Sequence, residues 1–218
     1  MALKNRKTRI LVNTSFLLVI LASLLLQPTS ALAMGDADTS TLPNFSEFSN
    51  AVQDGKADVL RGVYVPNALA LPIVQQPYGS PGFVSNEDER ATQFRMANQH
   101  GNVGLLAHNH LSGKSFFGLE AGDEVRLVYG DGKAEYFVIS EVLRYQALQP
   151  NSPYSSFRNL DKDEVLSAEN MFKRVYFGDR HVTFQTCIEQ DGVLSWGRLF
   201  VIAIPKAEYE ELNPLNTR

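Results

Sequence analysis

From residue 59 onward the chain is a series of short apolar runs interrupted by Gly, Pro, Asn and Asp. Runs at 60–65, 71–74 and 103–107 are rich in Val, Leu and Ile, and turn-forming residues separate them. Runs of this length and composition are typical of β-strands, whereas a helix of similar burial needs about ten or more residues of helical periodicity. The sequence therefore predicts a mostly β domain, organised as a mostly antiparallel barrel.

Two hairpins are indicated by their turns. Strand-like residues 123–129 and 135–143 flank Gly130-Asp131-Gly132. The last two predicted strands, which include residues 181–187 and 198–204, are joined through a turn that contains Asp191-Gly192. Asp-Gly pairs favour tight hairpin turns because both turn positions adopt positive φ. Each hairpin is therefore predicted to be an antiparallel pair.

Two polar segments, 86–99 and 161–177, are predicted to hold helices because apolar residues recur in them at helical spacing. These residues are Ala91, Phe94 and Ala97 in the first segment, and Val165, Ala168, Met171 and Phe172 in the second. The segment 149–160 is rich in Pro, Ser and Asn and is predicted to be a loop.

The first 33 residues have the order of a secretory signal peptide. A basic head, an apolar stretch at 16–26 and Ala31-Leu32-Ala33 follow one another. We expect cleavage after Ala33, with retention as a signal anchor as the alternative. The polar segment 34–58 is predicted to be a linker or N-terminal arm, and 208–218 a C-terminal tail.

Charge restricts the partners of the mature chain. Four of the twenty basic residues lie in the leader, so sixteen basic residues face twenty-four acidic ones and the formal net charge is −8. Such a chain is a poor candidate for binding nucleic acid or anionic lipid through a basic surface. We expect no nucleic-acid partner, and a membrane contact only through the leader if it is retained.

Cys187 is the single cysteine of a chain that is expected to be exported, where cysteines usually pair as disulfides. A lone cysteine is a reactive thiol, an intermolecular bridge or a small buried residue. Strand alternation places His181, Thr183, Gln185 and Cys187 on one face, opposite the apolar Val182 and Phe184. This polar setting favours a reactive thiol.

A nucleophilic thiol needs a nearby base or cation, because the thiolate is the reactive species. The sequence offers four histidines as candidates for the base: His100, His108, His110 and His181. His108 follows a predicted strand, at an end where a side chain can reach a groove. Arg198 begins the last strand, across the turn from Cys187, where its guanidinium could donate to an oxyanion.

Four segments together resemble the sortase family, over residues 59–205. Thr183-Phe184-Gln185-Thr186-Cys187 is similar to the family's Thr-Leu-x-Thr-Cys, and Leu105-Leu106-Ala107-His108-Asn109 to its segment around the catalytic His. The runs 116–119 and 122–125 resemble its Phe-x-x-Leu and Gly-Asp-x-aliphatic stretch, and Arg198-Leu199-Phe200-Val201 its arginine strand. The sequence departs from the pattern at Ala107, where Gly is usual, and at Gln185, where an aliphatic residue is common.

The resemblance implies a sortase-like catalytic domain at 59–207, folded as a closed or nearly closed antiparallel or mixed barrel of about eight strands with a few short helices. It implies a cysteine transpeptidase that cleaves a sorting-signal peptide on surface proteins and transfers the acyl group to an amine of a cell-wall precursor or pilin. The implied catalytic residues are Cys187, His108 and Arg198, and the implied substrate-binding residues are Thr183, Gln185 and Thr186. No cofactor and no metal are implied.

Three other interpretations predict different behaviour. His108-x-His110 on an extended strand would put two imidazoles on one face, as in a zinc site. A non-catalytic barrel that binds peptides or glycans would keep its activity without Cys187. An L,D-transpeptidase expects Ser-x-Gly-Cys followed closely by Arg, a pattern that 184–189 does not fit.

Overall fold

The structure is a computed structural model of the chain, and it describes residues 42–214. The predicted leader and most of the predicted arm before α1 lie outside these residues. The described elements, in chain order, are α1 Phe45–Val52, β1 Leu60–Val65, β2 Leu69–Gln75, β3 Ala91–Phe94, α2 Arg95–Asn98, β4 Val103–Leu106, a 3₁₀ helix Ser112–Gly118, β5 Glu124–Tyr129, β6 Ala134–Ala147, β7 Phe157–Asn159, β8 Val165–Leu166, α3 Ala168–Tyr176, β9 Val182–Gln190, β10 Val193–Pro205 and α4 Lys206–Leu212. Among residues 42–214, no helix is both long and apolar enough to cross a membrane.

Eight strands form a closed barrel. Their order is β10-β9-β4-β3-β2-β1-β5-β6, and β6 pairs with β10 to close the circle. The β2–β3 and β4–β9 pairs are parallel, and the other barrel pairs are antiparallel. Strands β7 and β8 continue from β6 outside the circle. This arrangement confirms the predicted fold class: a mostly β, mixed, closed barrel of eight strands with short helices.

The strands have two apolar faces. Side chains that alternate along each strand, such as Leu105, Phe184 and Val201, point into the barrel and form its core. The outer face of β10 is apolar near one end, where Phe200 and Ile202 pack against α3. The barrel therefore carries a second layer on the side that also bears Cys187.

The two predicted hairpins are present. Strands β5 and β6 pair antiparallel, as do β9 and β10. At the β9–β10 turn Asp191 has φ 53° and Gly192 has φ 77°, the positive values that the Asp-Gly pair favours. The strands predicted at 60–65, 71–74 and 103–107 also form, with shifts of a few residues at their ends.

The helix predicted at 86–99 is wrong over most of its length. Residues Ala91–Phe94 form β3, which pairs with β2 and β4, and only Arg95–Asn98 form a helical turn. Thr92 is completely buried and its hydroxyl accepts a hydrogen bond from the Ser85 amide. Buried pairing on both sides outweighed the local helical pattern, because a polar residue satisfied in this way can occupy a central strand.

The segment 34–58, predicted to be a linker or arm, contains α1. Asn44 caps this helix by accepting from the Glu47 amide, and the Glu47 carboxylate accepts from the Asn44 amide. Phe48 is buried against β1, and a Cβ added at Gly62 would lie 2.8 Å from its ring. Residues 45–52 are thus part of the folded domain. Similarly, the predicted tail begins inside α4.

Candidate active site

Strand β9 carries Cys187 between two neighbouring strands. On one side β10 runs antiparallel, with Arg198 directly opposite Cys187. On the other side β4 runs parallel, with Leu106 opposite Gln185, and the Ala107 amide donates to the Gln185 carbonyl at 3.3 Å. The pairing of β4 with β9 ends at Leu106, and His108 follows Leu106 by two residues as Cys187 follows Gln185. Because neighbouring strands lie about 4.8 Å apart, we infer that His108, Cys187 and Arg198 lie near one another.

The alternation of side chains puts this trio on the outer face of the barrel. Ala107 and Phe184 belong to the interior core, so the residues next to them, His108 and Gln185, point outward. Cys187 follows Gln185 by two residues and has the same orientation. On β10, Leu199 and Val201 are interior residues, and Arg198 points outward with Cys187.

Across β4, β9 and β10 the outer face consists of three successive rows. We name them the buried row, the middle row and the open row. The buried row is Gly104, Thr183 and Ile202, and the middle row is Leu106, Gln185 and Phe200. The open row is the pair Cys187 and Arg198, beside which we place His108 by continuing the chain two residues past Leu106. Every member of the buried row is buried, only Gln185 of the middle row is partly exposed, and Cys187, Arg198 and His108 are all partly exposed. A substrate can reach the thiol at the open row.

Hydrogen bonds fix the residues on both sides of Cys187. The Arg198 guanidinium donates through Nη1 to the carbonyl oxygens of Ser195 at 3.0 Å and Gly197 at 2.8 Å. Asn109, next to His108, donates from Nδ2 to the carbonyl of Leu194 at 3.1 Å. The His108 segment is therefore tied to the β9–β10 hairpin across the open row. Asn109 was not predicted to be a site residue. The signal for it in the sequence was its place directly after His108, in the segment that resembles the sortase His motif.

Thr186 and Gly113 position the backbone around His108. Thr186 donates from its hydroxyl to the Ala107 carbonyl at 2.8 Å, and the amides of Leu111 and Gly113 both donate to the His108 carbonyl at 3.0 Å. A Cβ at Gly113 would overlap Thr186 Oγ1 and would lie 2.7 Å from the His108 carbonyl oxygen. The backbone around His108 is thus tightly packed.

We expect Gly113→Ala to lower the free energy of unfolding by about 1–3 kcal/mol, because the added methyl must displace the His108 backbone. Gly118→Ala is the matched control in the same 3₁₀ helix, since a Cβ there meets no heavy atom within 4 Å. That control should change stability by less than about 1 kcal/mol. Urea unfolding of both variants measures the difference. Equal stabilities would show that the loop has more room than the structure gives it.

The three predicted substrate-binding residues have different surroundings. Thr183 is fully buried and donates to the Val175 carbonyl at 2.6 Å, so it has no exposed atom with which to contact a substrate. Thr186 is 2% exposed and binds the Ala107 carbonyl, which gives it a positioning role. Gln185 alone is partly exposed. The place of the two threonines in the motif did not show that the structure covers them, and the substrate-binding role of the three residues stays a prediction.

The four histidines are not equivalent candidates for a base. His181 is buried, with its ring nitrogens 2.7 Å and 2.9 Å from the carbonyl oxygens of Asp179 and Val175. His100 stacks on Phe177 at a centroid distance of 3.9 Å. His110 is exposed and stacks on His108 at a centroid distance of 5.4 Å. Only His108 lies in the row of Cys187.

The zinc interpretation expects two imidazoles on one face of an extended strand, and the described residues do not have this arrangement. His108 follows the end of β4 and His110 lies in the turn beyond it, so the two histidines do not share a strand. Within residues 42–214, no group of three or more His, Cys, Asp or Glu side chains is arranged to hold a metal ion.

A cleft of about 600 Å³ lies away from the open row. It lies between α1, β2 and the residues that follow the His108 turn, including Ser112 and Lys114. Its charged rim is internally paired, with Lys114 3.4 Å from Asp88. Cys187 is partly exposed on the outer surface of the barrel and does not line this cleft.

The chain is similar to sortases of known structure. Sortase A of Listeria monocytogenes is 14% identical over 74% of this chain and 99% of that one, with a TM-score of 0.43. The SrtA sortase of Actinomyces oris is 16% identical over 72% and 88%, and the sortase D5 transpeptidase of Clostridium perfringens 14% over 73% and 87%, both with TM-scores of 0.42. No protein-family model and no curated protein matches the chain. Similarity at this level assigns no activity to it.

Proposed function

We propose that this chain is an exported cysteine transpeptidase of the sortase type, in which Cys187 is the nucleophile. The observation that supports the proposal is the pairing of Cys187 with Arg198 on adjacent strands, together with the position of His108 two residues after Leu106, the residue of β4 that pairs with Gln185. A partly exposed thiol between an imidazole and a guanidinium is the environment that nucleophilic thiol chemistry needs.

In the first half-reaction the Cys187 thiolate attacks the carbonyl carbon of a peptide bond. Arg198 donates to the oxyanion that forms, from the guanidinium that Ser195 and Gly197 hold in place. The C–N bond then breaks, and protonated His108 gives its proton to the departing amine. The products are a thioester on Cys187 and a free amino terminus.

In the second half-reaction an amine takes the place of the lost peptide. Neutral His108 accepts a proton from the attacking amine, a new amide bond forms, and the Cys187 thiolate leaves. Water in place of the amine would complete hydrolysis, so the same site would also act as a cysteine peptidase. No group outside the open row is needed for these steps.

The proposed partners follow from the resemblance of the motifs. The acyl donor is a surface protein with a sorting-signal peptide of the Leu-Pro-x-Thr-Gly kind, and the acceptor is an amine of a cell-wall precursor or pilin. The proposed location is outside the cytoplasm, at the cell surface, because the first 33 residues have the order of a secretory signal peptide.

Trapping the thioester tests the proposal. The full chain is incubated with short peptides of the Leu-Pro-x-Thr-Gly kind, quenched in acid and measured by intact-protein mass spectrometry. We expect an adduct with the mass of the acyl fragment on Cys187, which hydroxylamine removes and Cys187→Ala abolishes. Product release that survives in Cys187→Ala would overturn the proposal. Binding of these peptides by Cys187→Ala without any adduct in the wild-type chain would replace it with the non-catalytic barrel.

A further inference from the structure

The side chain of Gln185 is held by a buried phenol. The hydroxyl of Tyr176, at the end of α3, lies 2.5 Å from Gln185 Oε1. Burial raises the pKa of Tyr176, so this phenol stays protonated and acts as a donor. Its partner must then be the acceptor end of the Gln185 amide, because no other acceptor is found for this hydroxyl in the described part of the chain.

The orientation of the amide leaves its donor end unused. With Oε1 on Tyr176, the Gln185 Nε2 group has no hydrogen-bond partner among residues 42–214. Gln185 precedes Cys187 by two residues on the same outward face, and it is the partly exposed member of the middle row. Two N–H donors are thus available one row away from the nucleophile, toward α3.

The donor is also rigid, because Tyr176 is fixed on three sides. Gly104 in the buried row lacks a side chain, and a Cβ there would lie 3.0 Å from the Tyr176 ring. Asn102 donates from Nδ2 to the Tyr176 carbonyl at 2.9 Å, and Thr183 donates to the Val175 carbonyl at 2.6 Å. These contacts fix the last turn of α3, and the Tyr176 hydroxyl in turn fixes the amide. A pre-oriented donor binds without a large ordering cost.

The neighbours of Gln185 in the middle row are apolar and buried. Leu106 and Phe200, on either side in the middle row, are 8% and 3% exposed. The exposed part of this row is therefore polar, although both flanks are apolar. An aliphatic residue at position 185 would offer a substrate only apolar contact, whereas the amide offers directed hydrogen bonds.

We propose that the Gln185 carboxamide selects acyl-donor peptides with a side-chain acceptor oxygen, such as that of an amide or a hydroxyl, a few residues before the scissile bond. This inference rests on the proposed function. Gln185 is a specificity-determining residue that binds the substrate, and Tyr176 is a positioning residue that acts through it. A donor oriented in this way rejects the analogue that lacks the acceptor, because the bound peptide covers the amide and leaves its N–H groups unpaired.

The test compares paired peptides that differ only by Asn against the similarly sized Leu, placed two, three or four residues before the scissile bond. The readout is kcat/KM for acyl-enzyme formation with the full-length wild type, Gln185→Leu and Tyr176→Phe. We expect the wild type to prefer Asn at one position about tenfold, the value of one neutral hydrogen bond. Gln185→Leu should abolish or reverse this preference, and Tyr176→Phe should reduce it because the amide is free to rotate.

The outcomes separate the two proposals. If no peptide acylates Cys187, the proposed function fails. If peptides acylate Cys187 but the Asn/Leu ratio is the same in the wild type and Gln185→Leu, only the role of Gln185 is overturned. A fall in kcat/KM by the same factor for both peptides in Gln185→Leu would also overturn it, because it would indicate contact with the peptide main chain or a general structural effect.

Discussion

Replacing His108 with Ala is expected to lower kcat for acyl transfer about 10²–10⁴-fold, the range by which a positioned acid or base accelerates proton transfer. The physical reason is that the departing amine needs a proton donor, and the Cys187 thiol needs a base that accepts its proton. His108 follows the segment of β4 that pairs with β9, and it is the histidine that we place beside Cys187. Steady-state transfer of a peptide to an amine measures the loss of kcat. The pH dependence of Cys187 alkylation should also differ between the wild type and His108→Ala.

His110→Ala is the matched control for this experiment. His110 stacks on His108 but is exposed, and it lies beyond the row of Cys187. We expect it to lower kcat by no more than about threefold, as a surface substitution that leaves the proton path intact. The roles of the two histidines would have to be exchanged if His110→Ala produced the large loss and His108→Ala the small one.

The strands that carry the candidate site could be predicted because their signals are local. Alternation along 181–187 placed Phe184 inside and Cys187 outside, and Asp191-Gly192 indicated the hairpin that pairs Cys187 with Arg198. The place of His108 next to Cys187 depends on a parallel pair formed by segments about eighty residues apart. No pattern within either segment shows that pairing, and only the resemblance of the motifs suggested it.

Helix α1 was missed although the sequence holds its signal. Asn44 and Glu47 have the spacing of a capping box, and Phe45, Phe48 and Val52 share one helical face. The low hydrophobicity of the surrounding residues concealed this pattern. By contrast, β3 could not be predicted from its own residues, because Thr92 and Gln93 are polar and are buried only by the neighbouring strands.

The motif also could not separate the roles of its own residues. Thr183 and Gln185 share a strand face, yet α3 covers the first completely and the second only in part. That difference arises from where α3 ends, since Tyr176 lies over Gly104 and reaches Gln185 only with its hydroxyl. Thr183 packs under α3, whereas Gln185 reaches the surface. Both placements depend on tertiary contacts between segments that are not adjacent in sequence.

Replacing Arg198 with Ala is expected to lower kcat about 10²–10³-fold, the effect of removing one oxyanion donor. Arg198→Lys should recover little of the loss. The guanidinium uses one nitrogen, Nη1, to hold the Ser195 and Gly197 carbonyls, which leaves its remaining N–H groups for the substrate. A lysine keeps the charge but cannot hold the carbonyls and the oxyanion in this fixed fork geometry. Transfer kinetics at saturating peptide measure the effect on kcat apart from KM.

A second arginine on the same side of the barrel separates this role from a general effect of charge. Arg174 lies on α3, pairs with Glu141 and does not contact the open row, so Arg174→Ala removes one positive charge while leaving the row intact. We expect kcat to change by less than about threefold in that control. If Arg198→Lys retained full kcat, the positive charge alone would account for the role of Arg198. If Arg198→Ala raised KM without lowering kcat, Arg198 would hold the bound peptide equally in the ground and transition states, and another group would have to stabilise the oxyanion.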